Sequence, residues 1–67
     1  MGTTVTWPWG TGTAEGTVVA IHPRPVNRRI KGSRITRLGS PDDPAYEIEQ
    51  EDGGRVLKLR SEVERKD

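Results

Sequence analysis

Six cations, Arg24, Arg28, Arg29, Lys31, Arg34 and Arg37, follow one another with no acid between them. Guanidinium forks at that density suit a nucleic-acid backbone, whose phosphates are bound by charge neutralisation. Three aromatic side chains, Trp7, Trp9 and Tyr46, form the second set able to do chemistry, in a chain without phenylalanine. Aromatic faces stack on bases, and several together can cage a methylated cation. Trp7 and Tyr46 are better explained as anchors of a small core. Trp9 stands beyond Pro8 in a glycine-rich stretch, where it reads equally as a single binding platform or as a hydrophobic cap. The cationic run has a plainer reading as a solvated loop, since no base-reading motif accompanies it.

Catalysis needs a nucleophile, a positioned base or a metal with open coordination. The chain has no cysteine, which removes thiol nucleophiles, disulfides and thiolate zinc sites together. Its one histidine, His22, precedes Pro23 and reads as a surface or edge residue. Asp42 and Asp43 stand between Pro41 and Pro44, which is turn chemistry off the spacing of a calcium loop. Gly10, Gly12 and Gly16 miss the dinucleotide fingerprint by one residue, and no helix follows them. The expectation is a chain that is not an enzyme and holds no cofactor or metal.

The elements must present these residues from a thin core. Sixty-seven residues with 30% hydrophobic side chains imply one domain over residues 1–67. Without disulfides, such a chain is stabilised best by closing a sheet into a barrel. Thr3–Trp7 is rich in β-branched and aromatic residues, and Pro8 is expected to end its pairing. Gly10–Thr13 reads as a flexible loop. Glu15–Ile21 is apolar on both faces through Val18, Val19, Ala20 and Ile21, which suits a long bent strand shared by two halves of a barrel. The stretch from Pro23 to Gly32 reads as a mobile basic loop, and Ser33–Leu38 as a third strand.

Gly39–Pro44 is dense in turn residues. Tyr46 to Glu51 alternates, with Tyr46 and Ile48 inward and the acids outward. Asp52-Gly53-Gly54 is a hairpin turn, Val56–Leu59 the returning strand, and Ser61–Glu64 a short helical turn that sets Val63 on the core. Five strands and no long helix make an all-β, SH3-like barrel.

Charge is unevenly spread. Residues 1–41 carry six basic side chains against Glu15 alone, and residues 42–67 carry five against nine acids. A chain so polarised can dock on a polyanion, associate with a copy of itself, or neutralise its halves across the sheet. No apolar run reaches the length of a membrane span and no signal-peptide pattern opens the chain, so a cytoplasmic location is expected.

Several segments in order resemble the Tudor-like domain family of hypervirulence-associated proteins. They are Val5-Thr6-Trp7, Gly16-Thr17-Val18-Val19, Ile30-Lys31-Gly32, the long run Gly39-Ser40-Pro41-Asp42-Asp43-Pro44-Ala45-Tyr46-Glu47-Ile48, and Gly54-Arg55. The chain departs from the family at Ala45, where a basic residue is frequent, and at Leu59, where a histidine is common. The resemblance implies a Tudor or SH3-like barrel without enzymatic activity, and the family leaves the role poorly defined. The first functional reading is a non-catalytic module that docks a protein or peptide partner near Trp7, Trp9 and Tyr46. The alternative is a small nucleic-acid-binding barrel that uses residues 24–37.

Overall fold

Val5 and Trp7, two residues apart, point the same way from an extended segment, and both are buried. That alternation builds β1 (Thr4–Trp9) in the computed structural model, which describes residues 2–66. Next come β2 (Gly12–His22), β3 (Pro25–Ile30), β4 (Ser33–Leu38), β5 (Ala45–Glu49) and β6 (Arg55–Leu59). A 3-10 turn, Arg60–Glu62, then leads into the short β7 (Glu64–Arg65). Five strands form an antiparallel sheet in the order β6-β5-β2-β1-β7, and β3 and β4 form a separate two-stranded ribbon. The fold is all-β with one short helical turn, the SH3-like class the sequence implies.

β2 is the long bent strand. Its first half pairs with β1 from Gly12 to Thr17, and its second half pairs with β5 from Thr17 to His22. The register slips between Val18 and Ala20, leaving Val19 as an extra residue that bends the strand. Gly16 lies where β5 crosses closest: a Cβ there would stand 2.8 Å from the Glu49 carbonyl oxygen.

Three local expectations are corrected. β1 runs through Pro8 to Trp9, with Pro8 opposite Thr13. The Lys66 N–H donates to the Thr4 carbonyl at 2.9 Å, so even-numbered residues of β1 turn their backbone toward β7. β7 pairs only with Val5 and Thr6, which leaves the missing N–H of Pro8 on an open edge where it costs nothing. The Gly10–Thr13 loop is instead a two-residue turn joining Trp9 to Gly12, with Gly10 at a φ of 56°.

The third correction concerns the basic stretch, which is β3 and not a mobile loop. Val26 is buried and Ile30 half-buried between exposed residues, and every residue from Pro25 to Ile30 pairs with β4. Lys31 and Gly32, both at positive φ, close this tight hairpin.

Two apolar clusters result, one on each face of β5 and β6. Val5, Trp7, Val18 and Ile48 form the first, with Ala14, Tyr46, Val56 and Val63 packed around them. Val26, Ala45 and Leu57 form the second, bordered by Ile30, Ile35 and Leu59. The β3–β4 ribbon therefore covers the face of β5 and β6 that the rest of the sheet leaves open.

Candidate functional site

The ribbon sorts four of the six cations by the side each faces. Cross-strand partners share a face, so Val26 with Arg37, Arg28 with Ile35 and Ile30 with Ser33 lie toward the sheet. Two of the cations on this side find carboxylates. The Arg28 Nε lies 3.2 Å from Glu47 Oε1, and the Arg37 Nε lies 2.8 Å from Glu62 Oε1. The opposite side carries Pro25 with Leu38, Asn27 with Thr36 and Arg29 with Arg34, all exposed. Arg24, Arg29, Lys31 and Arg34 are exposed, and their side chains make no hydrogen bond or ion pair with any described residue.

Glu47 is a hub that the alternation of β5 conceals. Although the acids of this strand read as outward-facing, its side chain is only 14% exposed because the ribbon lies over it. His22 donates from Nε2 to Glu47 Oε1 at 2.8 Å, and Arg55 approaches Oε2 at 3.5 Å. Burial pushes the Glu47 carboxyl up, but the His22 hydrogen bond and the charges of Arg28, His22 and Arg55 outweigh it. The net result is a carboxyl held below its ordinary range. His22 is thus a partner of Glu47 at the inner face of β2.

The aromatic residues do not share a surface. Trp7 is 3% exposed and belongs to the first core, whereas Trp9 is 72% exposed at the end of β1. Trp9 pairs with Gly12 at the beginning of β2, and Tyr46 pairs with Ile21 near its end. No cage forms from the three.

Tyr46 instead borders a groove of about 350 Å³, lined by Thr3, Val5, Val18, Ile21, Tyr46, Arg60, Val63 and Arg65. Its floor is apolar through Val5 and Val18, and Ile21 is 47% exposed beside them. Among the described residues no acid lines it, and the exposed Arg60 and Arg65 do. Sequence reasoning reached Tyr46 but missed Ile21, Arg60, Val63 and Arg65. Only the fold brings the chain end back across β1 and β2.

The turn at residues 40–44 positions Arg60. Asp43 accepts from the Ser61 N–H at 2.8 Å and from the Ser61 hydroxyl at 2.7 Å. The Arg60 N–H donates to the Pro44 carbonyl at 2.9 Å. Glu62 closes the other side of the 3-10 turn by accepting the Leu59 N–H at 2.7 Å. Burial raises the Glu62 carboxyl, while the Leu59 and Arg37 hydrogen bonds and the charges of Arg37 and Lys58 bring it below its ordinary value.

Ala45 and Leu59, the two departures noted in the sequence, face one another across the β5–β6 ladder. Ala45 is fully buried and Leu59 packs on the second core. This apolar pair joins the ribbon to the sheet.

Among the described residues, no group of three or more histidine, cysteine or acidic side chains is placed to hold a metal ion. Among the same residues, no helix is long and apolar enough to cross a membrane. A family model described as hypervirulence associated proteins TUDOR domain matches residues 2–63. Comparison with curated proteins and with solved structures gave no match.

Proposed function

The chain belongs to the Tudor domain family of hypervirulence-associated proteins, and on that premise we propose that it is a non-catalytic module that docks a peptide segment of a protein partner in the Tyr46 groove. The observation that carries this reading is the composition of the groove wall. An apolar floor beside one aromatic ring takes up an apolar side chain, and the exposed Arg60 favours a carboxylate next to it. Methylated lysine is a poor ligand for the same wall, because one ring makes no cage and the Arg60 guanidinium repels a cation. The partner segment is therefore acidic and apolar.

Calorimetric titration with two peptides of equal length tests this, one acidic and one carrying trimethyl-lysine, each with the same leucine. The acidic peptide binds, and Arg60→Glu weakens it at least about tenfold, equivalent to about 1.4 kcal/mol. Preference for the trimethyl-lysine peptide, or equal binding by Arg60→Glu, would sink the reading.

A further inference from the structure

Two features of the β3–β4 ribbon work against its own stability. Arg29 and Arg34 are direct cross-strand partners, and like charges so placed repel. Lys31 occupies the first position of the tight turn at a φ of 50°, a conformation that favours glycine or asparagine. Both choices weaken the hairpin, and both raise the cation density at its tip. Residues that conflict locally with the fold mark places where something other than stability is served.

The rest of the outer face agrees with this. Pro25, Asn27, Arg29, Arg34, Thr36 and Leu38 include no acid, and all are exposed. The inward cations, Arg28 and Arg37, already hold carboxylates. We infer that the ribbon tip is a docking surface for duplex DNA, with Arg29, Lys31 and Arg34 neutralising backbone phosphates. A two-stranded ribbon has the width to enter the major groove, and guanidinium forks match phosphate oxygens. With no bidentate base reader among these residues, the binding is independent of sequence. Arg28 and Arg37 attach the ribbon to the barrel and do not touch the DNA. This surface is separate from the Tyr46 groove, and its occupant is a different class of partner.

Fluorescence anisotropy with a labelled duplex of arbitrary sequence, over a series of salt concentrations, tests the inference. Three neutralised phosphates give a plot of log K against log salt with a slope of about −2.7. Arg29→Ala with Arg34→Ala reduces the slope to roughly −0.9, and Lys31→Asn alone to roughly −1.8. Because the double variant removes a repulsion and asparagine accepts the turn, neither lowers the thermal midpoint. Arg60→Glu leaves DNA binding unchanged, so failure here is distinguishable from failure of the peptide reading.

Absence of binding at low salt overturns the inference, as do variants that bind like the parent. Equal or tighter binding to polyglutamate overturns it in favour of an acidic protein surface. A salt-sensitive dimer that the Arg29 and Arg34 changes abolish, without DNA binding, overturns it in favour of a second copy of the chain.

Discussion

At the residue scale, position on a face decides what each charged side chain does. Glu47 receives His22, Arg28 and Arg55, which come from β2, β3 and β6, so one carboxylate ties three strands together. Removing it strands a half-buried histidine and an arginine, and Glu47→Ala is expected to cost about 2 kcal/mol at neutral pH. Glu47 and Glu62 both titrate below the ordinary 4.5 in the folded chain. Their contribution is therefore complete above that value and is lost as pH falls through the lowered folded values. Urea midpoints measured from about pH 7 down to about pH 3 check this. The parent loses stability steeply below 4.5, and Glu47→Ala less steeply; equal acid sensitivity would remove Glu47 from the account. The cationic run was legible as composition. The division of its strand residues into outward Arg29 and Arg34 and inward Arg28 and Arg37 was not, because it depends on the register between β3 and β4.

At the scale of elements, the family signature in residues 39–48 has a physical basis. Gly39 packs so closely that an added Cβ would stand 2.6 Å from the His22 carbonyl oxygen and 2.8 Å from the Ala45 nitrogen. Ser40 and Asp43 close the turn on each other's backbone, and Asp43 then secures Ser61. Gly39→Ala must push β2 and β5 apart, since backbone atoms cannot swing aside as side chains do. A loss of about 1 to 3 kcal/mol is expected by denaturant unfolding, and an unchanged midpoint would contradict the packing described. β1, β2, β4, β5 and β6 were readable from alternation and turn residues. β3 was not, because Pro23, Pro25 and the arginines mask a strand with only Val26 and Ile30 to bury. β7 is two residues long and exists only through its pairing with Val5 and Thr6.

At the scale of the whole molecule, the polarised charge of the chain is only partly neutralised by folding. Arg28 with Glu47 and Arg37 with Glu62 join the basic half to the acidic half. The outer face of the ribbon keeps its positive character, and Arg60 lies exposed beside the Tyr46 groove. The groove was only half visible in the sequence. Tyr46 stood out as an aromatic residue, whereas Arg60 and Arg65 reach it because the 3-10 turn and β7 carry the chain end across the sheet. In the docking mode proposed, the partner site lies on the sheet and not at the exposed Trp9. Mapping of amide chemical shifts during titration with the acidic, leucine-containing peptide tests that claim most directly. Saturable shifts concentrated at Val5, Val18, Ile21, Tyr46, Arg60 and Val63, and lost in Arg60→Glu, are the predicted result. Shifts centred on Trp9 and the β1–β2 turn, or none at millimolar peptide, would contradict it.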